Sequence, residues 1–158
     1  MKLTPDFSLA EFRVTSQKIE NNVPQDYIPR LKCLCSAILQ PLRDKLGSLE
    51  ITSGFRSERV NELVGGSPSS QHVQAEAADI KPRKASPDET WLELLRMGEA
   101  GFPIDQAIYY LETTGHIHVS HTTRKKNRNQ FMAKTKDGKY IKWKEYDDAR
   151  RQVADISV

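Results

Sequence analysis

A chain of 158 residues, 37% hydrophobic and 28% charged, has the length of one domain with an ordinary core, and its composition excludes the disordered and collagen-like classes. Its formal net charge of +3 is modest, and no stretch approaches the roughly 18 uninterrupted apolar residues needed to cross a bilayer, so no membrane partner is expected. The opening MKLTPDFSLAEF lacks an apolar run of signal-peptide length, which predicts a protein made in the cytoplasm, folded as one domain over 1–158.

Ser8 followed by Glu11 just ahead of Phe12 is a capping-box pattern and predicts a short helix over 8–13. Pro29 suits a first helical position. Leu31, Leu34, Cys35, Ile38, Leu39, Leu42 and Leu46 then recur at three- and four-residue spacing as far as Gly47, predicting a long helix that Pro41 kinks. Cys33 and Cys35 fall in this stretch, on different helical faces, and read as core thiols. LEITSGF predicts a short strand ending at Gly54, and SERVNELV a helix closed by Gly65 and Gly66. AADI predicts a strand with Ala78 and Ile80 on one face and Ala77 and Asp79 on the other. Ser86, Pro87 and Glu89 supply the cap, first-turn proline and box partner of a helix carrying Trp91, Leu94 and Leu95, ending near Gly98 or Gly101. DQAIYYL and HIHVS predict neighbouring strands joined by ETTG, and Asp137-Gly138 within FMAKTKDGKYIKW is a hairpin signal. Helices come first and strands later, which predicts an α+β fold with N-terminal helices packed on a mostly antiparallel sheet.

The segment SSQHVQAEAAD at 69–79 poses a chemical question, because it places the carboxylate of Asp79 in a small-residue strand that reads as buried. Removing a charge from water is costly without a counter-ion. On HIHVS, His116, His118 and Ser120 share one face while Ile117 and Val119 enter the core, so two imidazoles stand about two strand residues apart at one cleft. One of them as a ligand, with His72 and Asp79, gives a candidate set of two histidines and one carboxylate, the nitrogen and oxygen donors that hold zinc and leave a fourth position for water, while the other imidazole reaches past it. Spacing alone favours His72 as an ordinary surface loop residue, and leaves three of the chain's four histidines at one cleft readable as coincidence.

These residues also carry a resemblance. SSQHVQAEAADI resembles the S-x-H-x-x-G-x-A-x-D signature of the M15 zinc D-Ala-D-Ala carboxypeptidase and endolysin family, with Ser70, His72, Ala77 and Asp79 in register. ITSGFRS resembles its S-G-Y-R segment, DQAIYYL with HIHVS its closing strands, and FSLAEF and LQPLRDKLG its short phage and bacterial subgroup. The resemblance implies a zinc peptidase acting on peptidoglycan stem peptides, with His72, Asp79 and His118 as metal ligands. It implies that Arg56 binds substrate and steadies developing charge, where the residues alone read equally as a surface arginine before a helix-starting Ser57. Ser70 is placed on the same substrate side, holding the His72 loop through its hydroxyl, or serves only as a loop serine.

Two positions depart from the pattern. Ala75 stands where the motif has glycine, and Gly115 stands where many relatives carry a general-base glutamate three residues before the last histidine. His116, as in related H-x-H peptidases, and Glu112 are the candidates for that role, while Asp105 and Gln106 are read as shaping the sheet edge or supporting a ligand. A non-catalytic, zinc-containing wall-binding module of the same fold is the alternative. TTRKKNRNQ at 122–130 holds four basic residues and no acid, which reads as a solvated loop or a contact for an anionic wall polymer, with no nucleic-acid motif behind it. A monomer is expected, reaching the wall after release or delivery, as a phage enzyme does.

Overall fold

In the computed structural model, which describes residues 1–111 and 115–156, the capping box at Ser8 and Glu11 does start a helical segment, the 3-10 turn Leu9–Arg13. The long amphipathic stretch begins with a 3-10 turn at Gln25–Tyr27 and runs through α1 (Ile28–Leu34) and α2 (Gln40–Leu46), with Pro29 in the first turn of α1. Between the two, Cys35–Leu39 widens into a π-helix. Pro41 is the physical reason: it has no N–H to donate to the carbonyl of Ala37, and its ring needs room there. Gly47 ends α2 at φ 88°. Cys35 lies in the core, but Cys33 is only half-buried, so the expectation of two core thiols holds for one.

β1 (Leu49–Ser53) leads through Ser57, whose hydroxyl accepts from the Val60 N–H, into α3 (Glu58–Leu63). β2 (Ala77–Pro82) is followed by α4 (Pro87–Glu99), with the expected box between Ser86 and Glu89. The remaining strands are β3 (Gln106–Tyr110), β4 (Ile117–Ser120), β5 (Gln130–Lys134) and β6 (Tyr140–Lys142). The six strands form one sheet in the order β1-β2-β4-β3-β5-β6, antiparallel except for β3 with β5, giving the α+β class. The Asp137-Gly138 hairpin joins β5 to β6, with Gly138 at φ 81°. A C-terminal helix, α5 (Trp143–Ile156), was absent from the sequence reading. It buries no residue fully and rests on the rest of the fold through Trp143, 5.1 Å from the Trp91 ring.

Alternation along the strands separates two faces. Ile51, Ala78, Ile80, Ile117, Val119 and Ala107 join Leu31, Leu34, Ile38, Leu42, Trp91 and Leu94 in the core under the helices. The intervening residues of β2, β4 and β3 form the floor of an open cleft on the other face. None of the described helices is long and apolar enough to cross a membrane.

Candidate metal centre and cleft

Register places the site. Asp79 on β2 lies opposite His118 on β4, His118 opposite Ile108 on β3, and Ile108 beside Met132 on β5, so these side chains form one row across the sheet. Tyr110, Lys134 and Tyr140 belong to the neighbouring row, across β3, β5 and β6. A bulge between Ile51 and Ser53 brings Ser53 opposite Asp79 at the row's far end.

His72 reaches the same point from the loop before β2. Its Nδ1 is 2.7 Å from the carbonyl oxygen of Gly54. A carbonyl can only accept, so Nδ1 carries the proton and Nε2 presents a lone pair. That Nε2 is 3.2 Å from His118 Nδ1 and 3.3 Å from Asp79 Oδ1, and the last two atoms are 3.0 Å apart. All three residues are buried. Two of the three atoms can only accept, and the single proton His118 Nδ1 could contribute cannot serve both well. A dication does. With bonds of about 2.0 Å, a tetrahedral zinc ion has ligand atoms ~3.3 Å apart, the size of this triangle. The donor set and its dimensions therefore fit a metal, and the group is one that could hold it.

The supports of the triangle are local. Gly54 is required where it stands, because a Cβ there would lie 2.6 Å from Phe12 Cα. The backbone is held on both sides, by Phe55 N–H donating to Phe12 O at 2.8 Å and Arg56 N–H donating to His72 O at 3.1 Å. Ser70 Oγ accepts from the His72 N–H at 3.3 Å. Ala75 has φ 57° and is fully buried, so the position that is glycine in the motif does adopt the left-handed conformation. Burial opposes the charge on Asp79, but in the protein alone His72 and His118, as protonated donors, outweigh it and hold this carboxyl well below its usual range, the part a bound cation would take over. Burial lowers His118 from its usual value despite its bond to Asp79.

Arg56 is placed at the site by two bonds, from Nε to Ser53 Oγ at 3.0 Å and from a terminal nitrogen to Asp79 Oδ2 at 3.2 Å. One oxygen of Asp79 thus faces the triangle and the other faces a guanidinium. The cleft, of about 670 Å³, is lined by Arg56, Ser70, His72, Asp79, His118, Gln106, Tyr110 and Tyr140 among others. A recess of similar size, about 650 Å³, lies between α4 and α5 with Trp91, Tyr109 and Trp143 in its walls, and among the described residues it holds no metal-capable group.

His116 does not share the ligand triangle. Its ring stacks on Tyr110 with centroids 4.3 Å apart, half-buried, and burial lowers its imidazole from the usual value. Glu112 lies outside the described residues. Gly115 has φ 74°, and a Cβ there would meet Pro87 Cγ at 2.6 Å, so a glutamate does not fit at that position.

The basic segment needs correction. Arg124 clasps the fully buried Glu76 through Nε at 2.7 Å and a terminal nitrogen at 2.9 Å, and Arg128 clasps the fully buried Asp105, its terminal nitrogen 2.7 Å away. Two of its four cations are therefore structural straps. Asp105 also accepts from Gln71 Nε2 at 2.9 Å, on the residue before His72, and no bond from Asp105 to a member of the triangle is present among the described residues. The sequence reading missed the Gly54 carbonyl, which leaves no side-chain trace, and the row of Tyr110, Lys134 and Tyr140. Period-two alternation in DQAIYYL marks the face of Tyr110, but nothing local marks the parallel partner strand.

Compared with known protein families, residues 5–120 match the sequence model described as Peptidase M15. No curated protein matches the chain.

Proposed function

The chain belongs to the Peptidase M15 family, and from that premise we propose that it is a zinc-dependent peptidase that cuts peptidoglycan stem peptides. The observation that carries the reading is the triangle of His72 Nε2, Asp79 Oδ1 and His118 Nδ1, with sides of 3.0 to 3.3 Å, on the floor of an open cleft. A closed structural site would surround its ion with four protein ligands, whereas three ligands facing a cleft leave room for water.

His72, Asp79 and His118 are the residues that would hold the ion. Zinc there would lower the pKa of a bound water towards 7 and polarise the scissile carbonyl. The protein's own groups do the rest. The Gly54 carbonyl fixes the His72 ring. Arg56 orients Asp79 and offers its remaining donors to the substrate carbonyl or a carboxylate. His116 and Glu112 remain the candidates to take and return a proton, the task that relatives give to a glutamate at the position of Gly115. Ser70 acts on the substrate side by keeping the loop of His72 along the cleft wall. A peptide lies across the cleft floor, with stem peptides supplying both the bond and the carboxylates that suit its cations. Action on the cell wall after release or delivery, as in a phage endolysin, and action as a monomer belong to the same proposal.

The test is elemental analysis of the purified chain together with digestion of purified peptidoglycan and weighing of the fragments. Stoichiometric zinc with new stem-peptide fragments supports the proposal. Stoichiometric zinc with no fragment from peptidoglycan or from defined stem peptides favours the wall-binding module instead, a reading that the glycine at position 115 supports.

A further inference from the structure

Lys134 on β5 lies beside Tyr110 on β3 and opposite Tyr140 on β6. Its Nζ is 5.3 Å from the Tyr110 ring centroid and 5.2 Å from that of Tyr140, so the ammonium is clasped between two aromatic faces. Both rings line the cleft that contains the triangle. Elsewhere around this cleft the two arginines are matched with carboxylates, Arg56 with Asp79 and Arg128 with Asp105, while Lys125 is exposed and has no aromatic clasp among the described residues. Lys134 has no carboxylate partner among the described residues. Aromatic faces fix the position of an ammonium, but unlike an anion they leave most of its positive potential to act on a ligand.

The sheet gives the distance scale. Lys134 stands two strands over and one row along from His118. With strands about 4.8 Å apart and two residues covering roughly 6.7 Å, the two Cα atoms are about 12 Å apart. Side chains on one face rise from the sheet side by side, and Nζ is held over β5 between the two rings, so it stays on the order of 12 Å from the ligand row, a gap the substrate must cover. One residue step of ~3.8 Å with a contact of about 3 Å at each end covers roughly 10 Å, and the length of the carboxylate arm itself adds the rest, so an anion on the residue next to the bond under attack falls within reach.

We propose that Lys134 is a specificity residue, held by Tyr110 and Tyr140 to receive a carboxylate borne by the substrate residue adjoining the scissile amide. The inference rests on the peptidase reading of the cleft. Either a chain-terminal carboxylate or a side-chain carboxylate on that residue supplies the chemistry.

The experiment uses the zinc-loaded full chain and two matched peptide pairs: acetyl-D-Ala-D-Ala and its C-terminal amide, and acetyl-D-Ala-D-Glu amide and its D-Gln counterpart. The readout is KM where a peptide is cleaved and calorimetric Kd where it is not. The wild type prefers the carboxylate of at least one pair by about tenfold, the worth of one charge-assisted bond. Lys134→Met removes that preference while amide affinity stays within about twofold, as for loss of a contact the amide never made, and Lys134→Arg keeps the preference. The pair in which the preference collapses identifies the source of the carboxylate. A wild type without preference in either pair, or a Lys134→Met variant that keeps it, overturns the proposal. Should Lys134→Met fail to fold, the side-chain nitrogen resonance of Lys134 in the wild type decides, because it shifts with the preferred carboxylate and not with its amide. A resonance unmoved at saturation overturns the proposal. Absence of cleavage in all four peptides counts against the peptidase reading, while the ratio of dissociation constants still decides the role of Lys134.

Discussion

The side chain of His72 is aimed by the backbone of Gly54: a 2.7 Å bond from Nδ1 to that carbonyl leaves Nε2 facing Asp79 and His118. The relationship joins a loop to the end of β1, and it makes a position without a side chain part of the metal centre. Gly54→Ala would set a Cβ 2.6 Å from Phe12 Cα, a backbone atom that cannot step aside cheaply. The carbonyl must move with it. We expect zinc affinity to fall by about 10- to 100-fold, the usual cost of losing such a supporting bond, in a chelator competition titration. Unchanged affinity in a folded Gly54→Ala protein would remove the carbonyl from the account.

Ligands and proton carriers separate by metal content. His72→Ala and His118→Ala each lose a corner of the triangle, and both zinc and turnover should vanish. His116→Ala should keep stoichiometric zinc, because its ring stacks on Tyr110 instead of joining the triangle, and should lose about a hundredfold or more in kcat. Elemental analysis beside initial rates checks both, and full activity in the His116 variant would hand the proton-transfer role to Glu112 or to another group.

Arg124 is expected to matter for stability and Lys126 is not, although they are two apart in one basic run. Removing Arg124 leaves Glu76, fully buried, without its counter-ion; a loss of about 3 kcal/mol is in line with breaking a buried pair. Lys126→Ala, on an exposed residue, should stay within about 0.5 kcal/mol of the wild type in urea unfolding. Equal effects of the two substitutions would restore the reading of a solvated loop.

The same straps predict an acid limb. Burial opposes the charges on Glu76 and Asp105, but the hydrogen bonds from Arg124 and Thr122, and from Arg128 and Gln71, prevail and lower both carboxyls. A lowered folded-state pKa contributes stability above the unfolded value and loses it as pH falls through the folded one. The loss should therefore begin below about pH 4.3 for Glu76 and about pH 3.9 for Asp105. Glu76→Gln should be less stable than the wild type at pH 7, with the gap narrowing as pH drops below about 4. A gap that is constant across this range in pH-dependent unfolding would contradict the assignment.

Ala75 tests the departure from the motif. Relief of a left-handed alanine is worth about 1–2 kcal/mol. Against it, Ala75→Gly gives up a buried methyl worth about 0.8 kcal/mol and adds about 0.4–1 kcal/mol of chain entropy to the unfolded state. The terms nearly cancel, and the variant should fall within about 1 kcal/mol of the wild type. Ala75→Val, branched at φ 57° in a fully buried position, should lose more than about 2 kcal/mol. A neutral valine variant in urea unfolding would mean that the loop rearranges freely.

Local signals made much of this legible in advance. The two capping boxes, the leucine periodicity and the alternation in AADI and HIHVS are short-range patterns, and the elements they predict are present with the faces they imply. The His72, Asp79 and His118 convergence followed from the same alternation, combined with the motif resemblance. What escaped depends on long-range pairing. The parallel alignment of β3 with β5 brings Lys134 to Tyr110 across 24 positions of sequence, and no local pattern encodes it. Arg124 and Arg128 looked solvated because their carboxylates are 48 and 23 positions away. The helix from Trp143 hid among charges because its contacts are with rings of other elements.

The acceptor-rich triangle also ties ion uptake to folding itself. An unfolded chain scatters Nε2, Oδ1 and Nδ1 across 46 positions of sequence, so an ion that binds the assembled triangle adds its binding free energy to the native state alone. At a free concentration one thousand times its Kd, that linkage is worth about 4 kcal/mol, a large fraction of the stability of an ordinary domain. Zinc supply would then govern how long the chain survives proteases as well as whether it can work, and chelation would shorten its lifetime.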